Sequence, residues 1–327
     1  MLPDIVVGVV GAGWAAREHC RSLEELGGTR IAGVFDVHTE SAERLATDCD
    51  TRVVPTVDDL LAMEELDAVI VATPSGVHRE AMVPALGRGL AVFAEKPLSR
   101  SVEDAWAIVE AADKSKSVCA VGYQWRAVDA LANLQAETRN AQTALLISQG
   151  IGITQARSWF NDSRLSGGLV FERVSHHIDL QRMVAGEVSS VTAVHGGIPL
   201  SGVTGYSDQC EDVISLTLSF ESGAVGAIHV GWTPEQYPPT QSLKVFTTAS
   251  AYDLDLDPAF VLRRQGTTEA FDSSGEHPFK RQIRLFLEAI RAQDSTRPAC
   301  TAQDAAGTVV VATAAEKALL TGQRQTC

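Results

Sequence analysis

With 327 residues the chain is long enough for two domains, each with its own buried core. Hydrophobic residues make up 45% and charged residues 21%, the balance of a globular protein rather than of a disordered or fibrous one. The formal net charge of −14 repels phosphate backbones and anionic membranes, and no run of Lys and Arg offers a local exception, so nucleic acid and membrane surfaces are excluded as partners.

The first apolar stretch is Ile5-Val-Val-Gly-Val-Val10. Asp4 precedes it without a basic segment, and a glycine turn follows at once, so it reads as a first strand and not as a secretory leader. Short apolar runs then alternate with helical patterns. Strands are predicted at 30–35, 51–54, 67–72, 91–94 and 118–121, and helices at 14–26, 39–47, 57–65, 77–87 and 102–114. The unbroken run Ala68-Val-Ile-Val-Ala72 suits a strand covered on both faces. Thr56 with Asp59, and Ser101 with Asp104, have capping-box spacing with Asp in place of Glu. Strand–helix alternation of this kind predicts a parallel, doubly wound sheet with right-handed crossovers.

After about Gln124 the pattern changes. Helices are predicted at 128–140 and 171–185, followed by strands at 188–195, 212–220, 224–231, 242–248, 252–256 and 260–264. The pair around Glu221-Ser-Gly223 reads as a hairpin, and consecutive strands without intervening helices predict an open, mostly antiparallel sheet with flanking helices. Two helices close the chain, at 278–293 and 302–320. The boundary is placed near 122–126, giving domains 1–123 and 124–327. Six scattered cysteines without a C-x-x-C pair read as reduced thiols of a cytoplasmic protein. No apolar run is long enough for a membrane span. No His/carboxylate cluster has metal-ligand spacing, so no metal is expected.

Gly11-Ala-Gly13-Trp-Ala-Ala16 is a G-x-G-x-x-A fingerprint between the first strand and the first helix. The first Gly permits a tight turn, the second lets the backbone approach a pyrophosphate, and the helix N-terminus offers unpaired N–H groups to the anion. This marks a Rossmann, dinucleotide-binding domain. Asp36 ends the second strand, where an acidic side chain accepts hydrogen bonds from ribose hydroxyls and repels a 2′-phosphate. Val37 and His38 bring no Arg to hold such a phosphate, so NAD is expected over NADP. Ala72-Thr-Pro74 and Glu95-Lys-Pro97 follow the fourth and fifth predicted strands, at the carboxyl edge where open α/β sheets bind ligands. Pro97 restricts Lys96 and holds its ammonium in place.

These residues, with Ala72-Thr-Pro-Ser-Gly-Val-His78, Gly122-Tyr-Gln-Trp-Arg126, Gly167-Gly168, Glu172-x-x-x-His176 and Asp179, resemble the glucose–fructose oxidoreductase/inositol dehydrogenase/MocA (Gfo/Idh/MocA) family across nearly the whole chain. The resemblance implies hydride transfer between a nicotinamide cofactor and a secondary alcohol or ketone of a sugar, inositol-like cyclitol or related polyol. It also implies a homodimer or homotetramer formed through the C-terminal sheet. It assigns cofactor contacts to Gly11, Ala12, Gly13, Trp14, Ala15, Asp36, Thr73, Pro74, His78, Glu95, Lys96 and Gln124. Lys96 would also meet the reacting hydroxyl, and His176 would be the general base, a role suited to imidazole at neutral pH. A fixed cation favours the developing alkoxide. Gln124, Trp125, Arg126 and Glu172 complete the expected substrate wall, and Trp159 either joins it or packs in a core or interface.

The chain departs from the family's Asp-x-Gly-x-His pattern at Glu172-Arg-Val-Ser-His176, and Ser166 stands where a glycine is common. Glu172 and His176 share one face if the segment is helical, so Glu172 is read as orienting the imidazole or reaching a substrate hydroxyl. His19 and His78 also fit family positions, and both have a structural reading beside the cofactor one. His177 and Asp179 either touch substrate or hold their helix. Two alternatives stay open at this level: reduction of a C=N or C=C bond, and a nicotinamide-binding sensor without catalysis.

Overall fold

The computed structural model describes residues 3–153, 166–196, 213–233, 239–257, 259–267, 270–272 and 275–327. The chain forms two compact units: Met1–Ala127 with His277–Ala306, and Val128–Glu276 with Gly307–Cys327. The expected contiguous division at 123/124 is therefore replaced by one in which residues 277–306 belong with the first unit.

The first unit is built on a parallel sheet of order β2-β1-β3-β4-β5, with β1 Ile5–Val10, β2 Thr29–Phe35, β3 Ala68–Val71, β4 Ala91–Ala94 and β5 Cys119–Val121. All residues of β3 and β4 are buried, as strands covered on both faces must be. The helices between them are α1 Trp14–Leu26, α2 Thr39–Asp48, α3 Val57–Leu61, α4 His78–Gly87 and α5 Val102–Ser115. Both predicted caps form: the Thr56 and Ser101 hydroxyls accept from the backbone N–H of Asp59 and Asp104, each at 3.0 Å. Helix α3 stops short of the expected Glu65 because Glu64 and Glu65 would set negative charge at the negative end of the helix dipole. The expected strand at 51–54 is reduced to one bridge, Val34 with Val53, since Pro55 has no N–H to extend a ladder.

The return of 277–306 has a hydrophobic cause. Helix α8, Pro278–Ala292, buries Ile283, Phe286, Leu287 and Ala289 in one cluster with Val7, Leu23, Ile70, Phe93 and Ala120. Without it the sheet core of the first unit would lack one of its covers.

The second unit holds a nine-stranded sheet of order β13-β12-β11-β10-β6-β9-β8-β7-β14. Its strands are β6 Thr143–Ile153, β7 Val188–His195, β8 Val213–Phe220, β9 Val225–Thr233, β10 Thr240–Thr247, β11 Ala251–Asp257, β12 Val261–Arg264, β13 Ala270–Asp272 and β14 Gln325–Thr326. All pairings are antiparallel except β6 with β9. The central strand β6 escapes the sequence reading, because its inward side carries Leu146, Ser148, Gly150 and Gly152 rather than a row of large apolar residues. Helices α6, Asp129–Thr138, and α7, Ser175–Ala185, belong to this unit, and α9 spans Ala302–Thr321. No helix among the described residues is long and apolar enough to cross a membrane.

Candidate active site

Helix α7 and the turn that leads into it explain the small residues of β6. Arg173, His177 and Gln181 recur every four residues and point one polar stripe at the sheet. The Arg173 guanidinium lies where a Gly152 side chain would be, and 4.9 Å from the Trp232 ring centre. His177 Nε2 faces Gln241 Oε1 at 3.0 Å, and a Cβ on Gly150 would come within 2.5 Å of that nitrogen. Gln181 Nε2 donates to Ser148 Oγ at 2.8 Å and to the Ala227 carbonyl at 2.9 Å. Burial, followed by the charge of Arg173, pushes the His177 imidazole down to about 3. His177 thus holds helix to sheet. Asp179 does similar work: its carboxylate accepts from Thr308 Oγ1 at 3.1 Å, while the Arg182 guanidinium donates to Thr308 and grips Glu187.

Glu172 lies in a single π turn, Val170–Val174, immediately before α7, and His176 is the second residue of α7. Both are half-buried, in contrast to the fully buried His177. The simple α-helical repeat expected between them is replaced by the wider i→i+5 turn, a distortion common at functional sites. Ser166, in the usual glycine position, accepts from the Gly168 N–H at 3.0 Å and so closes the turn that precedes this segment.

In the first unit, β1 delivers Gly11 at φ +97, and a Cβ there would sit 2.6 Å from the Ala72 carbonyl oxygen. Only glycine fits that backbone and that contact. Gly13, the N-cap of α1, has open space on its Cβ side, with nothing within 4 Å. No side chain caps α1 and no acidic residue occupies its first turn, so its leading N–H groups keep the positive end of the helix dipole for an anion. Asp36 accepts from the Ala12 N–H through Oδ2 at 2.6 Å and from the His38 N–H through Oδ1 at 2.7 Å, fixing the glycine turn to the end of β2. At the exit of β3, Thr73 Oγ1 and Ser75 Oγ are buried without a hydrogen-bond partner among the described residues. Open glycine, uncapped helix, ribose-type acid and two orphaned hydroxyls together fit a dinucleotide. Trp14 sets its ring edge-on to Phe279 at 5.6 Å, leaving the backbone of Trp14 and Ala15 for the phosphates. Ser75 is the one polar group here that the sequence reading did not single out. The residue type alone gives no signal, and only its orphaned hydroxyl does.

His78 is fully buried, with Nδ1 3.1 Å from the Leu98 carbonyl and Nε2 2.9 Å from that of Thr73. It braces the loop after β3 to the loop after β4, and burial holds its imidazole below the usual range. These contacts supply the structural role that the sequence left beside a cofactor role. In the β4 loop the Lys96–Pro97 peptide is cis. Glu95 Oε2 accepts from the Lys96 N–H at 3.2 Å, and Oε1 lies 2.6 Å from His19 Nε2. Burial pushes the Glu95 carboxyl up, but the hydrogen bond and electrostatic pull of His19, with that of Lys96, outweigh it and hold the group below the usual carboxylate range.

Gln124, Trp125 and Arg126 lie on one short 3-10 turn, Gln124–Ala127. The Arg126 side chain, 8% exposed, pairs with Asp304 at 3.2 Å, so part of its expected substrate-wall role goes to fixing the start of α9. Trp159 lies outside the described residues. No group of three or more potential metal ligands occurs among the described residues.

The profile of the "Oxidoreductase family, NAD-binding Rossmann fold" matches residues 5–123, and that of the "GFO/IDH/MocA C-terminal domain" matches residues 130–252. The chain belongs to the Gfo/Idh/MocA oxidoreductase family. It is similar to the UDP-N-acetylglucosamine 3-dehydrogenase of Acidithiobacillus ferrooxidans, 26% identical over 297 residues that cover 87% of this chain and 88% of that one. It is also similar to the 2,7-anhydro-N-acetylneuraminate hydratase of Escherichia coli, 27% identical over 241 residues, 70% of this chain and 63% of that one. In a further curated relative the chain spans 59% of the length. Among solved structures, levoglucosan dehydrogenase in complex with NADH and levoglucosan superposes with a TM-score of 0.87 at 16% identity, over 99% of both chains, which establishes the shared fold.

Proposed function

We propose that this Gfo/Idh/MocA protein is an NAD-dependent dehydrogenase acting on a secondary alcohol of a sugar, inositol-like cyclitol or related polyol. The observation that carries the reading is the pairing of a complete dinucleotide cradle with the lysine loop beside it: Gly11, Gly13 and Asp36 on one side, Glu95-Lys96 at the end of β4 on the other. When bound, NAD supplies the two-electron acceptor. Lys96 orients the reacting hydroxyl and stabilises negative charge growing on its oxygen. His176 removes the hydroxyl proton, and Glu172, one turn earlier, orients the imidazole or accepts from a second substrate hydroxyl. Gln124 and Trp125, on the turn after β5, are assigned to the substrate side.

The test is a polyol panel with NAD⁺, read by absorbance of the reduced nicotinamide. Lys96→Ala and His176→Ala are expected to lower kcat by about 10²- to 10⁴-fold, with NAD binding retained in His176→Ala. Full activity in both variants, or turnover of imines or enones with NADH and of no polyol, overturns the assignment. Self-association is assigned to the exposed face of the second unit's sheet, where Val194 and Val225 are 67% and 44% exposed. Sedimentation of a monomer at micromolar concentration counts against it.

A further inference from the structure

His19 has no task in the chemistry above, yet two aromatic rings and a carboxylate hold it in place. It sits on the second turn of α1 with no exposed surface. Its ring stacks on Phe279 at 4.6 Å with an interplanar angle of 14°, and meets Phe93 edge-on at 4.9 Å. Phe93 lies on β4 two residues before Glu95, so the strand that delivers Glu95 also helps fix the imidazole plane. The hydrogen bond from His19 Nε2 to Glu95 Oε1, 2.6 Å, is in the short range of bonds to charged acceptors. The other ring nitrogen, Nδ1, is buried with no hydrogen-bond partner among the described residues. A proton there would be unsatisfied, so Nε2 is the nitrogen that donates, with its N–H pointing at the carboxylate.

That carboxylate is constrained from other directions as well. Oε2 accepts from the backbone N–H of Lys96, and a Cβ on Gly122 would stand 3.2 Å from Oε1. Glu95 is thus gripped by an imidazole from α1, by the peptide of the next residue, and by the close passage of the chain after β5. A rotation of its side chain would break the bond to the Lys96 peptide and release the lysine loop.

We propose that His19 and Glu95 form a positioning pair that fixes the Lys96 peptide, and through it the ammonium, with His19 acting as donor and not merely as a packed ring. The proposal rests on the assignment of Lys96 as the residue that meets the reacting hydroxyl. It couples two parts of the cofactor domain: α1, whose N-terminus faces the pyrophosphate site, and the loop that carries the reactive cation.

Two substitutions separate donor from packing. His19→Phe keeps an aromatic ring between Phe279 and Phe93 and removes the N–H. His19→Gln removes the ring and keeps an N–H at reach. The expected result is that His19→Phe retains its circular dichroism and NAD affinity but loses about 10- to 100-fold in kcat, the scale of a small misplacement of a catalytic group. His19→Gln recovers most of that loss, and Glu95→Gln behaves like His19→Phe. A second measurement does not need turnover: acylation of Lys96 by acetic anhydride, followed by peptide mass spectrometry on the cofactor-free protein. Its rate is expected to change several-fold in His19→Phe and Glu95→Gln and to return toward wild type in His19→Gln. Wild-type kcat and Lys96 labelling in folded His19→Phe, or a His19→Gln variant worse than His19→Phe, overturns the proposal. If the wild-type protein oxidises no polyol, the dehydrogenase reading fails while the labelling pattern still decides this one.

Discussion

Two glycines of the cofactor turn are needed for opposite reasons, and the difference is measurable. Gly11 is required by the protein itself: φ +97 and the Ala72 carbonyl 2.6 Å from any Cβ leave no room for a side chain. Gly11→Ala is therefore expected to destabilise the fold by about 1–3 kcal/mol, seen as a lower urea midpoint without any cofactor present. Gly13 adopts an extended backbone with no neighbour within 4 Å, so Gly13→Ala costs the fold nothing. Its methyl instead fills the space through which the pyrophosphate approaches, and NAD affinity is expected to fall about tenfold or more, on the order of 1.4 kcal/mol. Equal urea midpoints for the two variants would remove the distinction. Asp36 shows the same doubling of duty, since the carboxylate assigned to the ribose also accepts from the Ala12 N–H at 2.6 Å and locks the turn. The motif was legible in the sequence because each residue type is dictated by local backbone chemistry. What the motif could not reveal is the second partner of each group, which comes from elements distant in the chain.

At the level of elements, periodicity recovered most helices and strands, and it failed where a buried face is polar. Strand β6 lies at the centre of its sheet yet presents Ser148, Gly150 and Gly152 inward, because the polar stripe Arg173, His177 and Gln181 fills the space above them. A pattern search for alternating large apolar residues has nothing to find there. The alternation of glycines was the only signal, and it reads as a strand only once the facing helix is known. Polar packing of this kind makes stability depend on pH. His177 is neutral in the folded protein, held near 3 by burial and Arg173, against an ordinary value of 6.5. Between those values the unfolded chain binds a proton that the folded one refuses, so stability is full above about 6.5 and declines as pH falls toward 3. At about pH 5 the loss from this one group is about 2 kcal/mol relative to neutral pH. His177→Gln keeps a contact with Gln241 and does not titrate. Urea unfolding at neutral pH and at about pH 5 is expected to show a drop in wild type that is about 2 kcal/mol larger than in the variant. Identical pH dependence in the two proteins would mean that another group carries the acid sensitivity.

On the scale of the whole molecule, the sequence shows that helix α8 has an apolar face but not which core receives it. Phe286 and Ile283 repeat at helical spacing, and that periodicity fixes the buried side while leaving the partner open. The partner proves to be the N-terminal sheet, where Phe286 meets Phe93 edge-to-face at 5.7 Å and shares its cluster with Val7, Ile70 and Ala120. A boundary drawn from the change of pattern after β5 therefore cuts through a domain whose last cover arrives some 150 residues later. This has a direct consequence for dissection. Residues 1–127 alone expose the apolar surface that α8 covers, and are expected to unfold without a cooperative transition and to bind NAD poorly. Joining 277–306 to them through a flexible linker is expected to restore both properties. Within the full chain, Phe286→Ala is expected to cost about 3–5 kcal/mol by leaving a cavity against Phe93, read as a shift of the urea midpoint. A cooperative, NAD-binding 1–127 fragment as stable as the linked form would show that the first unit closes its core without the returning helix.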